Sequence, residues 1–395
     1  MVAAGVFLVA RFFPVFEASD QAMLVVAFVG AFTAFFAATM GIVMNDIKKV
    51  LAYSTISQLG YMIAALGIGA YGPAIFHLFT HAVFKALLFL GAGSVNHATG
   101  TFDMRYMGGL RNIMPVTYVG MLLGGFSLVG IFPFAGFWSK DEILSHAWNN
   151  PSLINQAVFW LLITSVAMTA FYTFRMIYMT FHGEFRGGIV AEENQEDKDT
   201  PHIMDRKKEI HLAESPVLMI GPIILLAAGA VVSGYLVNPQ FHLLNIPPHW
   251  FSEFVVPSLH SKSEIIKLNM ELAFVTMAVA VSFIVFATLL YVRGNKVPAF
   301  VGGKLDPVRR LTGQKYYMDE LYEKQVVARG FYRYIGGLLE WVDQQFVDSI
   351  VDGFGWIARN VGWLLGRSQT GQVQFYGAGM VLGIVLILSV YLLWG

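Results

Sequence analysis

His77, His81 and Lys85 recur at every fourth position of His77-Leu-Phe-Thr-His81-Ala-Val-Phe-Lys85. At 3.6 residues per turn they form one slowly drifting stripe on a helix, with Thr80 beside it. A histidine, with an ordinary value near ~6.5, exchanges protons close to neutrality, and a lysine ammonium is a second protonatable station. The chemistry such a stripe can do is proton transfer. The surrounding run, 73–97, is otherwise apolar and long enough to cross a membrane, with Lys85 near its middle. An ammonium at mid-bilayer costs roughly 2.5–3.5 kcal/mol even on the lenient insertion scale, so Lys85 must face protein or water.

A second candidate lies in 115–146, an apolar stretch too long for one straight helix. It carries Gly130-Ile-Phe-Pro133-Phe-Ala-Gly136 in its interior. Pro133 removes a backbone hydrogen bond and the glycines loosen the chain, which predicts a broken helix. Discontinuous helices at mid-membrane are where transporters build ion sites, because freed backbone groups must be satisfied by protein or water. Lys140 and Asp141 follow the break in Ser139-Lys-Asp-Glu142. The alternative reading of that tetrapeptide is a solvated helix end.

The elements that must position these residues are membrane helices. With 56% hydrophobic and 13% charged residues and a mean hydropathy of +0.59, the chain is too apolar for an ordinary soluble domain of its length. Spans are predicted at 21–44, 48–70, 73–97, 115–146 and 154–182, then at 216–236, 271–292 and 373–394. Each is near the ~20 residues a crossing needs, apart from 115–146. The fold class is therefore all-α, a polytopic transmembrane helix bundle with a broken helix. Zero cysteines exclude disulfides, thiolate zinc sites and cysteine-ligated iron–sulfur clusters, and no Gly-rich phosphate loop occurs. No cofactor and no metal is expected on this chain, and a net charge of +0 gives no sign of nucleic acid as a partner.

The two ends are distinctive. Residues 1–13 are apolar but too short to span, with Arg11 at their far end, and read as a partial transmembrane helix; a signal peptide would carry its positive charge before the apolar core. Over 314–367, apolar residues fall in steps of three and four at Ile335, Leu339, Val342, Phe346, Ile350, Phe354, Ile357, Val361 and Leu364, with Glu340, Asp343, Asp348, Asp352 and Arg359 between them. That is the period of an amphipathic helix, and no proline follows Pro307 to stop it. About fifty residues at ~1.5 Å each make a helix on the order of 75 Å long, and its charges forbid a span, so it must lie along the membrane surface. Gly336-Gly337 and Gly353/Gly355 are the places where it could bend or divide. The segment 183–215, with Ala191-Glu-Glu-Asn-Gln-Glu-Asp-Lys-Asp199 and Arg206-Lys-Lys208, is a charged, solvated loop.

Followed across alternating spans, one side collects Lys48, Lys49, Arg105, Arg111, the basic residues from Arg186 to Lys208 and those from Arg293 to Arg310. The other receives Arg11, Lys262, Lys267 and little else. The rich side is cytoplasmic or its topological equivalent.

The stretch from His77 to Lys85 resembles the ion-translocating helix of the antiporter-like subunits of proton-pumping NADH:quinone oxidoreductase, complex I. Asp46-Ile-Lys48-Lys-Val-Leu-Ala-Tyr-Ser-Thr-Ile-Ser57-Gln58-Leu-Gly-Tyr61 resembles the same family, and Gly136-Phe-Trp-Ser-Lys-Asp-Glu142 resembles its second broken helix with the terminal ion-path lysine. The long amphipathic helix followed by a last span resembles the lateral helix of the distal, L-type member. The resemblance implies a five-helix repeat over 21–182, two further helices in 216–292, the lateral helix at 314–367 and the final one at 373–394. It also implies a first repeat upstream of Met1, with about seven further spans. Lys85, His81, His77 and Lys140 would be the proton path, supported by Asp46, Lys48, Ser57, Gln58, Thr80, Asp141 and Pro133. Other membrane-arm subunits, contacted by the lateral helix, and the lipid bilayer would be the partners, in a bacterial inner membrane. Two other readings stand beside it: a subunit of a multi-subunit cation/proton antiporter or of the related photosynthetic dehydrogenase, and a structural distal scaffold whose polar residues satisfy one another.

Overall fold

A computed structural model describes residues 2–196, 210–239, 246–255, 269–293 and 306–394. The basic cluster Arg206-Lys-Lys208, Lys262 and Lys267 lie outside the described residues, as does the stretch 294–305. The chain divides into two units, Met1–Tyr316 and Tyr317–Gly395.

The first unit is a bundle. It opens with α1 (Val2–Arg11) and α2 (Phe13–Glu17), followed by α3 (Asp20–Val43), α4 (Ile47–Gly67) and α5 (Tyr71–Thr99). The broken helix is α6 (Pro115–Val129) and α7 (Ala135–Asn149), after which come α8 (Leu153–Phe181), α9 (Gly188–Glu196), α10 (Val217–Val237), α11 (Trp250–Val255) and α12 (Met270–Thr288). Among the described residues seven helices are long and apolar enough to cross a membrane, and α6 is a shorter apolar one. The chain is an integral membrane protein. The segment expected as a loop at 183–215 holds α9, whose residues from Gly188 are helical.

Side chains chosen for the purpose start these helices. The Ser19 hydroxyl accepts from the Ala22 N–H at 3.3 Å ahead of α3, Asp46 Oδ1 from the Lys49 N–H at 3.0 Å ahead of α4, and Asn269 Oδ1 from the Leu272 N–H at 3.2 Å ahead of α12. Each satisfies an amide that the first turn leaves without an internal partner. Residues of small volume let α3 and α4 touch along their length. A Cβ placed on Gly60 would stand 2.5 Å from the Ala34 amide nitrogen and 2.7 Å from the Gly30 carbonyl oxygen, so the two backbones meet where a side chain has no room, the usual way membrane helices gain packing without a hydrophobic driving force.

The break between α6 and α7 has a backbone cause. Gly130 ends α6 at φ 88, ψ 43, a left-handed conformation that only a residue without Cβ takes cheaply. Pro133 then has no N–H to continue a ladder. The groups freed there are taken up locally: Gly136 N–H donates to Ser127 Oγ at 3.2 Å, and the Lys140 ammonium donates to the Leu128 carbonyl at 2.9 Å. The lysine thereby also sets a positive charge at the negative end of the α6 dipole.

In the second unit the helical backbone runs from Met318 to Ser368, with wider i→i+5 pairing over Leu321–Gly336 and Asp343–Val347 and ordinary turns over Gly337–Val342 and Asp348–Ser368. The periodicity starts this helix at Gln314; the structure starts it at Met318, because Lys315, Tyr316 and Tyr317 take φ of 53, 56 and 57. Tyr316, the last residue of the first unit, places its hydroxyl 2.8 Å from Thr39 Oγ1 on α3 and its ring 4.5 Å from that of Phe36. The glycine pairs do not divide the helix. Gly336 and Gly337 keep right-handed helical angles, −59/−46 and −62/−35, and Gly353 and Gly355 lie inside Asp348–Ser368. A last helix, Val373–Trp394, is apolar and of spanning length.

Candidate proton-transfer site

The stripe predicted on α5 is buried. His77 is 0% exposed, Thr80 0%, and His81 and Lys85 5% each. The stripe is four residues per repeat on a helix of 3.6, so it winds slowly around α5 and meets different neighbours along its length.

Lys85 turns toward α4. Its ammonium donates to the Leu51 carbonyl at 3.2 Å and to the Ser54 hydroxyl, which in turn donates to Leu51 O at 2.9 Å. His77 turns toward both α4 and the broken helix: one ring nitrogen, Nε2, is 3.1 Å from Gln58 Oε1 and the other, Nδ1, is 2.9 Å from Ser139 Oγ. Ser139 also lies 2.8 Å from Thr80 Oγ1, so two polar side chains of α5 share one hydroxyl of α7. His81 stands between these groups, its ring centroid 6.2 Å from that of His77 and edge-on to Phe84 at 5.3 Å. Its Nε2 is buried with no partner among the described residues. A buried imidazole nitrogen in that state needs water or a transient proton donor beside it.

Lys140 closes the arrangement from the other helix. Besides Leu128 O, its ammonium lies 5.3 Å from the centroid of the Tyr61 ring, and that ring is 6.5 Å from the ring of His77. Next to it Asp141, 4% exposed, accepts from Thr276 Oγ1 on α12 at 2.9 Å, while its second oxygen is buried and unpaired among the described residues. The result is a row of protonatable groups, Lys85, His81, His77 and Lys140, lined with the hydroxyls of Ser54, Thr80 and Ser139.

The supporting residues fall into two groups. Gln58 is in the row, and Ser57 is one helix position away, its hydroxyl donating to Ala34 O on α3 at 2.8 Å. Pro133 forms the break. Asp46 and Lys48 are elsewhere: Asp46 caps α4 and pairs with Asp103 in an isolated bridge, and Lys48 is exposed, its ammonium 3.7 Å above the Phe102 ring. They hold the loop end of α4 and do not touch the row.

Three residues in and around the site have no sequence signal of their own, and a fourth, Arg175, has one. Ser54 and Ser139 look like any small residue in an apolar run. Thr276 gives no hint that it meets Asp141, 135 positions away. Arg175 on α8 is the one a reader could have found, since an arginine inside a span demands partners. It is 6% exposed and donates to the Met44 carbonyl at 2.6 Å, Asn45 Oδ1 at 2.7 Å and the Tyr291 hydroxyl at 3.1 Å. It thereby fixes the turn from which α4 starts.

Comparison with known proteins agrees with this architecture. Residues 1–169 match the family model described as NADH:quinone oxidoreductase/Mrp antiporter, transmembrane. The chain is 42% identical to NAD(P)H-quinone oxidoreductase chain 5 of Picosynechococcus sp., over 99% of this chain and 60% of that protein. It is 36% identical to NADH-quinone oxidoreductase subunit L of Neisseria meningitidis, over 100% and 60%, and 38% identical to NADH-ubiquinone oxidoreductase chain 5 of Marchantia polymorpha, over 100% and 57%. The chain thus spans about three-fifths of the length of these relatives. Among solved structures, the Mrp complex from Dietzia sp. contains a chain with the same fold at a TM-score of 0.58 and 23% identity, matching 100% of this chain and 36% of that one. Residues 1–169 thus carry the match to the NADH:quinone oxidoreductase/Mrp antiporter transmembrane family, and the chain is similar to its subunit L and chain 5 relatives along their shared length.

Proposed function

We propose that this chain is a proton-translocating membrane-arm subunit of an NADH:quinone oxidoreductase of the complex I type. Protons move through Lys85, His81, His77 and Lys140 while the redox reaction proceeds on other subunits. The observation that carries the reading is the His77 bridge, one imidazole bonded to Gln58 on α4 and to Ser139 beyond the break. An imidazole with both nitrogens engaged can take a proton on one side and release it on the other.

The names of the relatives support the assembly, since those of Neisseria and Marchantia are a subunit of an NADH-quinone oxidoreductase and a chain of an NADH-ubiquinone oxidoreductase. A chain with no cysteine and no nucleotide loop suits the role of translocator rather than electron carrier. The long helix from Met318 would lie on the membrane surface across neighbouring membrane-arm subunits; exposed Trp341, Phe346 and Phe354 supply its apolar side. The bacterial relatives support the inner membrane as its place. A second reading, a complex with a donor other than NADH, is favoured by the 42% identity to the NAD(P)H-quinone relative of Picosynechococcus.

The test is Lys85→Met in the assembled complex, reconstituted in liposomes, with proton uptake and quinone reduction measured together. Methionine keeps most of the volume and the helix propensity while removing the ammonium. Assembly is expected to persist and proton uptake to be lost. Full uptake in an assembled variant refutes the reading and leaves a satisfied core cluster in its place.

A further inference from the structure

The buried polar residues of α7 do not end with Lys140 and Asp141. Glu142 is 1% exposed, and its carboxylate accepts from the Asn238 amide nitrogen at 3.0 Å on one oxygen and 3.3 Å on the other. Asn238 is itself 0% exposed and directly follows the last residue of α10. Its oxygen accepts from the hydroxyl of Ser252 at 3.3 Å and from the Ser252 N–H at 3.5 Å; Ser252 belongs to α11 and is 6% exposed. A side-chain amide has one donating and one accepting end. The backbone N–H of Ser252 can only donate, so it fixes the accepting end of Asn238 toward α11 and the donating end toward Glu142.

The position of this chain of contacts follows from the path of the helices. The loop before α6 carries Arg105 and Arg111, and the loop before α10 carries Arg186, so both helices start on the basic side. The broken helix and α10 therefore finish on the opposite face, where Asn149 ends α7, Asn238 follows α10, and α11 lies between α10 and α12. Glu142 is ~3 Å farther along the helix axis toward that face than Lys140. An ionisable group buried at this depth is costly and is retained for a function.

We propose that Glu142 is the outward station of the proton path and that Asn238 is the positioning residue that ties it to α11. The proposal rests on the proton-transfer reading above. Lys140 and Glu142 point to different sides of α7, so the forward step runs through water: an N–H bond of the Lys140 ammonium breaks, the proton passes along the water, and an O–H bond forms on Glu142, leaving a neutral amine and a neutral carboxyl group. The proton then leaves to water and the carboxylate re-forms. While the carboxyl group is protonated, its carbonyl oxygen still accepts from the Asn238 amide, but the bond loses its charge assistance and the tie to α11 loosens. Proton arrival thereby weakens the contact that its departure strengthens.

The experiment compares Glu142→Gln, Asn238→Ala and Lys85→Met in the native complex reconstituted in liposomes. It measures protons translocated per quinone reduced, assembly by native electrophoresis, and modification of Glu142 by dicyclohexylcarbodiimide from peptide masses. Glu142→Gln is expected to lower translocation by at least about tenfold, the low end of what a positioned proton-transfer group contributes. Asn238→Ala is expected to lower it less and to speed carbodiimide modification of Glu142, which a purely structural asparagine would leave unchanged. Full translocation in assembled Glu142→Gln beside an inactive Lys85→Met overturns the outward station alone, whereas full translocation in both overturns the proton-transfer reading itself. Should Glu142→Gln not assemble, an unchanged modification rate in Asn238→Ala overturns the proposal.

Discussion

Ser139 Oγ stands 2.9 Å from His77 Nδ1, across 62 positions of sequence and two different helices. The serine is the fourth residue after Ala135 begins α7, and it reaches α5 after the chain breaks at Gly130 and a new helix starts at Ala135. A straight helix through 115–146 would carry Ser139 and Lys140 past the histidines.

Ser139→Ala should therefore interrupt the row without disturbing the break, since neither Gly130 nor Pro133 depends on the hydroxyl. The variant leaves one nitrogen of His77 without its partner, which costs about 1–3 kcal/mol for a buried polar group, while the Thr80 hydroxyl keeps its bond to the His77 carbonyl at 3.2 Å. Proton translocation by the reconstituted complex is expected to fall while quinone reduction by uncoupled complex stays near its normal rate. Translocation at the normal rate would show that the hydroxyl only packs.

Arg175 carries a structural prediction. Its guanidinium makes bonds to Met44 O, Asn45 Oδ1 and the Tyr291 hydroxyl, and hydrogen bonds to a charged group contribute roughly 1.5–3 kcal/mol each. Arg175→Met is expected to lower the thermal midpoint of the detergent-solubilised complex and to expose the α3–α4 turn to protease. Arg175→Lys keeps the charge but loses the planar fork, so it should recover only part of the loss. Equal stability of the three proteins would remove the arginine from the account.

The orientation can be checked directly, because the chain has no cysteine. Lys49, Arg111, Asn149 and Asn150 are all exposed. Single cysteines at Lys49 and Arg111 should react with an impermeant maleimide only from the cytoplasmic side, and those at Asn149 and Asn150 only from the other. Labelling of all four from one side would overturn the alternation of spans on which the basic-side assignment rests.

Much of this architecture can be read from the residues alone, for physical reasons that also mark the limit. Spans are legible because the bilayer demands long apolar runs, and the break in 115–146 because Gly130 and Pro133 act on their own backbone. The stripe from His77 to Lys85 is legible because its spacing is local. Ser54, Thr276 and Asn238 are not, since each matters through a partner 31, 135 or 96 positions away, and periodicity carries no information about contacts of that range. The start of the long helix shifts from Gln314 to Met318 because Lys315, Tyr316 and Tyr317 take left-handed backbone angles, which the spacing of apolar residues does not show. Asp46 and Lys48 show the converse, a motif legible in sequence whose residues lie at the loop end of α4, apart from Lys85, the histidines and Lys140.

The half-helix α7 also constrains how the protein is made. Lys140, Asp141 and Glu142 stand in succession on a segment of 15 residues, and a charge at the centre of an isolated helix costs roughly 2.5–3.5 kcal/mol at insertion. The partners that accommodate two of them are synthesised later, Asn238 96 residues after Glu142 and Thr276 135 residues after Asp141. At ~5–20 residues per second this is a delay on the order of ten seconds. During biogenesis α7 cannot partition into lipid as each ribosomal segment emerges. It must be retained beside the insertion machinery, or left at the interface, until α10 and α12 arrive to receive it.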